Sequence, residues 1–351
     1  MAINLADKYS AKVAERFAHK AYSAGIASNA YDFDGVKSIK VYSIDTVELG
    51  NYTRSGSSRY GTPTDLTDSY QVMTMVPDKA FTYIIDKGND KEQLNIKKAN
   101  RALAREVDER VNPYLDKYNF AKWVAGAGQV VTTANVPTAS TALGLVQDAT
   151  ELLDEMACPD SGRTLVVTHN FFKILKQNPN FVYTDKLAQD SMVRGKVGEI
   201  DGMAIRKVPN KYMPKDVYAL VVHSSALLAP MKLKEYKIHV DPPGINGNLT
   251  EGRIIHDAFV LDAKADAIVA ICKASVLTVK PTVAISSGSA TLTKGGATTL
   301  YYTLDGSDPR CSGTRVEWTS GTVTVASGQT IRLAGYKAGE AVEWGKAEAV
   351  G

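Results

Sequence analysis

The sequence is poor in the residues that most often carry chemistry. Its 351 residues include three cysteines and five histidines. Cys158, Cys272 and Cys311 lie far apart and belong to no CxxC or CxxH pattern. Any disulfide scheme would leave one of them over, so they read as reduced, ordinary thiols. His19, His169, His223, His239 and His256 have no partner four residues away and no acidic neighbour in a metal-binding pattern. His169, at the end of a strand-like run, is the most conspicuous and reads as structural. GxSxG, HExxH, P-loop and GxGxxG motifs are all missing, and with them the usual signatures of hydrolases, zinc proteases and nucleotide enzymes. The expectation is a protein that is not an enzyme, with no catalytic residue, no cofactor and no metal site.

Other absences narrow the class further. No run reaches the ~18 apolar residues that span a bilayer. Met1–Tyr9 lacks the charged start and apolar core of a secretory signal, which predicts maturation in the cytoplasm of the cell that makes it. Net charge is only +3, without a Lys/Arg tract, so a chain that grips nucleic acid by neutralising many phosphates is disfavoured. Gly126-Ala-Gly128 follows a helical pattern and opens none, and so reads as a flexible exit rather than a phosphate cradle. Asp305-Gly-Ser-Asp308 has two close carboxylates but lacks the further ligands and distal Glu of a calcium loop. Asp305-Gly306 reads as a hairpin turn.

What is present is an ordinary globular composition, 44% apolar and 23% charged, on a chain long enough for two domains. Residues 1–36 are small and polar, loosely helical from Ala6 to Ala21, with too little apolar surface for a core of their own. They are expected to pack on something else, such as a neighbouring subunit. Ser38–Val47 and Tyr70–Ile85 alternate as strands do, with Tyr70, Val72 and Val76 on one face and Met73 and Met75 on the other. The glycine-rich segment 50–63 lies between them, so the pair predicts an extended hairpin. A two-stranded hairpin is marginal alone and is usually stabilised by another chain.

Lys91–Trp123 carries the strongest helical signal, with Ile96, Ala99, Leu103, Val107, Val111, Tyr114 and Tyr118 at spacings of three and four. Arg105–Glu109 and Glu106–Arg110 pairs support it, and Pro113 should kink it. A second helix is expected from an N-cap at Ser140 to Met156. Thr164–Thr168, Gly202–Val208, Val217–His223, Tyr236–Val240 and Arg253–Ile271 predict strands, with a short helix at Phe171–Lys176 and a loop at 241–248. The body therefore reads as α+β. Composition shifts near Ser275 to Thr, Ser, Gly, Val and Ala, in short alternating runs at Leu300–Leu304, Gly321–Val325 and Thr330–Tyr336. Residues 275–351 predict a small β-sandwich whose charges balance. Its aromatics Tyr301, Tyr302, Trp318, Tyr336 and Trp344 are of the kind that stack on sugar rings, although in a small sandwich most large aromatics fill the core.

The order of polar arm, long hairpin, long charged helix and α/β region resembles the major capsid protein of tailed bacteriophages, the Hong Kong 97-type fold. Gly202-Met-Ala-Ile-Arg-Lys-Val-Pro209 looks like that family's A-domain strand ending in proline, and Val260–Ala270 looks like its closing strand. The resemblance implies an N-terminal arm at 1–36 and an E-loop hairpin at 37–86. It further implies a P domain at 87–130 and 231–274 with the spine helix, and an A domain at 131–230. The tail motif Tyr301-Tyr-Thr-Leu-Asp-Gly-Ser-Asp-Pro309, with Thr330–Tyr336, is similar to the chitobiase/hexosaminidase C-terminal domain, a non-catalytic immunoglobulin-like module.

These resemblances imply self-assembly, through hexamers and pentamers, into an icosahedral shell around double-stranded DNA that is contacted weakly and without sequence preference. They also imply a separate scaffolding protein, a portal, and a location in the virion after assembly in the host cytoplasm. The C-terminal domain would be displayed outside on a linker near Cys272–Lys280, with Tyr301, Tyr302, Trp318 and Trp344 as glycan-contacting candidates for bacterial surface sugars. Val41–Pro77 contains no lysine, so the lysine–asparagine cross-link of some shells of this fold is not expected. The absence of a long charged helical prefix ahead of the arm argues that any scaffold is a separate protein, and an uncleaved, non-covalently held shell is expected. The alternatives are an encapsulin-like compartment shell and, from a different class, a carbohydrate-binding surface protein. A glycosidase is least favoured, because the carboxylate pair it needs is not identifiable.

Overall fold

The computed structural model describes residues 21–28, 31, 37–44, 51–61, 63, 65, 68–88, 99–179 and 199–351. The expected helix between Ala6 and Ala21, most of the arm, and the first part of the long helix (Ile96, Lys97 and Lys98 included) lie outside them. In chain order the body contains β1 (Ser38–Ile44), β2 (Asp68–Thr74), β3 (Asp78–Asp86), α1 (Ala99–Glu106), a π-helical turn (Val107–Val111) and α2 (Asn112–Ala125). Then follow β4 (Gln129–Thr133), α3 (Ala139–Glu155), β5 (Arg163–Thr168), α4 (His169–Lys176), β6 (Glu199–Ile200), β7 (Met203–Val208) and β8 (Val217–His223). The body ends with β9 (Leu227–Leu228), β10 (Met231–Val240), β11 (Gly247–His256), β12 (Phe259–Val260) and β13 (Ile268–Lys273).

A mixed six-stranded sheet, ordered β4-β13-β8-β5-β7-β6, forms the centre. Helices cover both of its faces, which explains why its strands read as nearly continuous apolar runs. Leu165, Val167, Ala219, Val221, Val269 and Ile271 face α3 and α4. Val166, Leu220, Val222, Ile268 and Ala270 face Phe120, Trp123 and Val124 of α2. β13, expected with residues 231–267, therefore lies between β4 and β8 in this sheet.

Several expectations need correction. The run Tyr70–Ile85 is two strands: Pro77 lacks the N–H a ladder needs, and beyond it β3 leaves the hairpin for a sheet with β11 and β10. Arg253–Ile271 is likewise not one strand. Its interior holds β12 and a 3₁₀ turn at Asp262–Ala267, and its ends belong to different sheets. The N-cap of α3 is Thr138, not Ser140, because Thr138 and Thr141 form a reciprocal capping box. Met156, expected on the apolar face, is exposed.

The long helix continues through Ala125, two residues beyond the expected end, and its described part spans roughly 40 Å. Pro113 is accommodated by the π turn just before it, where the extra residue frees the backbone group that proline cannot pair. The helix serves two cores in turn. Val111 and Leu115 pack with Phe81 and Ile254 of the three-stranded sheet, whereas Phe120, Trp123 and Val124 pack on the six-stranded one. The expected single stripe missed the second set. The Arg105–Glu109 pair is made, at 2.9 Å.

Residues 275–351 hold β14 (Thr282–Ser286), β15 (Ser289–Thr293), β16 (Thr299–Thr303), β17 (Val316–Glu317), β18 (Thr322–Thr324), β19 (Thr330–Tyr336) and β20 (Trp344–Val350). They form a three-stranded sheet, β14-β15-β18, and a four-stranded sheet, β17-β16-β19-β20. Ala290, Leu292, Leu300, Val323, Ile331 and Leu333 fill the space between the sheets. Asp305-Gly306 does not close a two-residue hairpin. It lies in the loop joining β16 to β17, where Asp305 Oδ1 accepts from the Ser307 backbone N–H at 3.0 Å.

Candidate assembly surfaces and the interdomain junction

The hairpin presents two unlike faces. Ile39, Val41, Met73 and Met75 turn inward onto Leu228, Leu261, Ile255 and Phe259. On the outer face Tyr42 is 61% exposed, Tyr70 56% and Val72 52%. Tyr42 stands opposite Tyr70 with rings 5.9 Å apart, and the Lys40 ammonium lies 4.6 Å from the Tyr70 ring centre. At the tip, the Thr53 N–H donates to the Arg59 carbonyl, and Tyr60 is 91% exposed beside Tyr52. A two-stranded ribbon with an apolar outer face is a surface suited to burial against a partner.

Two buried carboxylates anchor the ribbon and the N-terminal segment. Asp257, 4% exposed, accepts from the Val76 N–H at 3.1 Å and from the Tyr118 hydroxyl at 2.8 Å, tying the hairpin exit to α2. Asp116, 1% exposed, accepts from the Tyr22 and Ser23 N–H groups at 2.9 and 2.8 Å and from the Ser23 hydroxyl at 2.7 Å. Residues 21–28 thus pack on their own chain. Sequence reading overlooked both carboxylates, since neither Asp116 on a charged helix nor Asp257 in a loop after a strand gives a local sign that it is buried. His256 is buried too, edge-on between Tyr114 and Tyr118, and burial lowers its pKa.

The C-terminal sandwich does not hang on a free linker. Val276 and Leu277 pack against the body core, Val279 is fully buried, and Val342 inserts into the same body core. The Glu343 N–H donates to the Ala125 carbonyl, the last residue of α2. Beside these contacts sits a charged knot. Arg310, with 1% of its side chain exposed, pairs with Asp308 of its own loop and with Asp266 of the body at 2.7 Å. Lys346 of β20 reaches the same Asp266 and stands 3.7 Å from Asp308. The arginine and the ammonium outweigh the burial of Asp308 and hold its carboxyl down at about 2, while burial pushes the carboxyl of nearby Asp262 up to about 6.

Gly128, read from sequence as a flexible exit, belongs to this junction. A Cβ on it would lie 2.4 Å from the Ala265 carbonyl, to which its N–H donates at 2.9 Å. The glycine is there for close backbone approach, and the turn is tight rather than loose.

The four glycan-contacting candidates do not share one surface. Tyr302 and Trp318 pack on the sandwich core, and the Trp318 indole N–H donates to the Gly321 carbonyl. Tyr301 and Trp344 lie on the opposite face of the four-stranded sheet, as the pairing register requires. Arg315 covers the Tyr301 ring at 5.1 Å, and Trp344 packs on Tyr336 and lines a cleft of about 430 Å³ facing Gln129, Leu152 and Asp266 of the body. Of the charged groups lining that cleft, Arg332 pairs with Glu348 and Lys346 with Asp266, and Lys280 lines it as well.

Little conventional chemistry is assembled elsewhere. Among the described residues no three His, Cys, Asp or Glu side chains gather as a metal set. Burial pushes the thiols of Cys272 and Cys311 up to about 11, so they stay protonated and unreactive near neutrality. No disulfide joins the three cysteines. Among the described residues no helix is long and apolar enough to cross a membrane.

No protein-family model matches the chain, and no curated protein does either. Solved structures do. The chain aligns over 77% of its length with 92% of a chain from the mature capsid of bacteriophage PhiM1, at TM-score 0.62 and 12% identity. It has the fold of a phage capsid chain. A chain of the cyanophage P-SCSP1u capsid aligns at TM-score 0.59 and 14% identity, covering 77% of this chain and 93% of that one. A chain from Mycobacterium phage Che8 aligns at TM-score 0.60 and 15% identity, covering 77% and 98%. The likeness is one of overall fold, at low identity.

Proposed function

We propose that the chain is the major capsid protein of a tailed bacteriophage, building an icosahedral shell around double-stranded DNA. The observation that carries this reading is the match to capsid structures over nearly their whole length. In this reading residues 1–36 are the N-terminal arm, 37–86 the E-loop, 87–130 and 231–274 the P domain, and 131–230 the A domain. The exposed Tyr42–Tyr70–Val72 face of the hairpin supports it, because such a surface is best buried against a neighbouring subunit. The shell forms from hexamers and pentamers without covalent cross-links, from an uncleaved subunit, with a separate scaffolding protein and a portal. The low net charge fits a wall that encloses DNA without gripping it.

Residues 275–351 are an immunoglobulin-like module on the outer face of the particle. The aligned 77% leaves a remainder close in size to this segment, which supports an addition to a complete capsid subunit. The compartment-shell and carbohydrate-binding alternatives are not favoured, since the likeness is to phage capsids. Electron microscopy of the purified protein, alone and with a scaffold, tests the reading. Uniform icosahedral shells are expected, and soluble monomers under all conditions would overturn it.

A further inference from the structure

β5 and β7 run parallel, Leu165 beside Ile205 and Val167 beside Lys207, so their starts share one side of the central sheet and their ends the other. The start side is acidic. The last turns of α3 bring Glu151, Asp154 and Glu155, the next loop brings Asp160, and Asp201 sits on the β6–β7 turn, all around one depression. Buried Arg163 engages Asp154 at 2.6 Å and Asp160 at 3.1 Å. Glu151, Glu155 and Asp201 have no cation partner among the described residues.

The end side is basic. α4 follows β5 directly and sets His169, Lys173 and Lys176 around a second depression, which Lys207 of β7 also lines. The Lys176 and Lys207 ammoniums lie 5.1 and 5.0 Å from the Phe172 ring centre. Lys211 follows just beyond β7. No carboxylate pairs with Lys173, Lys176, Lys207 or Lys211 among the described residues. Strands of this length hold the two poles roughly 17 Å apart.

The geometry points to a head-to-tail contact in which the basic pole of one copy of this chain seats on the acidic pole of the next. A two-fold contact would set either pole against itself and bring like charges together, which is unfavourable. Opposite poles on one rigid sheet instead favour a heterologous contact, and such contacts close into rings when the rotation allows. The partner is a second copy because the complementary charge is carried by the same chain. The inference rests on the shell reading and specifies which surfaces join subunits within a ring.

The test uses the full chain in three forms: Lys173→Glu with Lys176→Glu, Glu151→Lys with Glu155→Lys, and all four together. Circular dichroism confirms folding, and sedimentation with electron microscopy at 50 and 500 mM NaCl reads association. Each pair alone should raise the protein concentration needed for assembly by about tenfold or more at low salt, and the four together should restore it. Folded variants that assemble like the wild type, or a folded fourfold variant that fails to recover, would overturn the inference while leaving the shell reading intact. Altered DNA retention with normal assembly in the lysine variant would assign the basic pole to nucleic acid and also overturn it. Wild-type rings that depend on these charges but never become shells would support the inference and sink the shell reading.

Discussion

Replacing Arg310 with methionine isolates the tie between sandwich and body. The side chain is 1% exposed and faces two partly buried carboxylates, Asp308 at 18% and Asp266 at 23% side-chain exposure. Removing one member of a buried ion pair commonly costs about 3–5 kcal/mol, because the partner charge stays behind uncompensated. Lys346 still touches Asp266 and stands 3.7 Å from Asp308, so a loss near the lower end, about 3 kcal/mol, is expected at pH 7. The acid limb gives a second reading. With a folded pKa of about 2 against an ordinary 3.8, Asp308 contributes stability that is fully present above pH ~4 and lost as pH falls toward 2. That contribution is about 2 kcal/mol. Arg310→Met removes most of it, so the gap between variant and wild type should narrow between pH 4 and 2. Urea unfolding of the dissociated subunit measures both, and limited proteolysis at residues 274–281 reports undocking. A loss below about 1 kcal/mol at pH 7, or a gap that stays constant down to pH 2, would refute a buried clamp.

Asp262→Asn should act in the opposite sense. Its carboxyl is raised to about 6 from 3.8, so the folded state binds more protons than the unfolded one between those values, and wild-type stability falls as pH rises through that window. The amide should therefore be the more stable form at pH 8, by about 3 kcal/mol, with most of the advantage gone by pH 4; superimposable unfolding curves at both pH values would contradict this. Gly128→Ala forces a Cβ against the Ala265 carbonyl and should destabilise by about 2–3 kcal/mol, read as a lowered melting temperature, and an unchanged one would show that the approach relaxes freely. Tyr42→Ser with Tyr70→Ser should leave subunit stability within about 1 kcal/mol, since both rings are already exposed. The same pair should raise the concentration needed for shell assembly about tenfold, and normal assembly by light scattering would remove the hairpin face from the contact.

The fold was legible where a pattern reflects a single environment. Val217–His223 alternates between two covered faces and Ala139–Glu155 has one apolar stripe, and both elements stand where periodicity put them. The long helix misled because it changes partner along its length: Val111 serves one core and Trp123 another. Tyr70–Ile85 misled because alternation persists across Pro77 while the pairing partner changes. The candidate assembly surfaces were half legible. Tyr70 and Val72 were visible as one face of an alternating strand, but Tyr42 opposite them and the junction were not. Asp266 and Arg310 are 44 residues apart, and nothing in the spacing of either announces the other. The opposed charges on α3 and α4 were hidden for a similar reason, since only the parallel pairing of β5 and β7 sends them to opposite ends of one sheet.

The place of β13 bears on how the molecule comes into being during translation. It is the last strand of the body to leave the ribosome, yet it lies in the interior of the central sheet, where Ile268, Val269, Ala270, Ile271 and Cys272 are fully buried. Until it arrives, β4 lacks its one partner among the described strands of that sheet, and β8 presents a bare apolar edge. Nascent body segments therefore remain open and adhesive through most of synthesis. A chain halted before β13 is complete is therefore expected to be prone to aggregation.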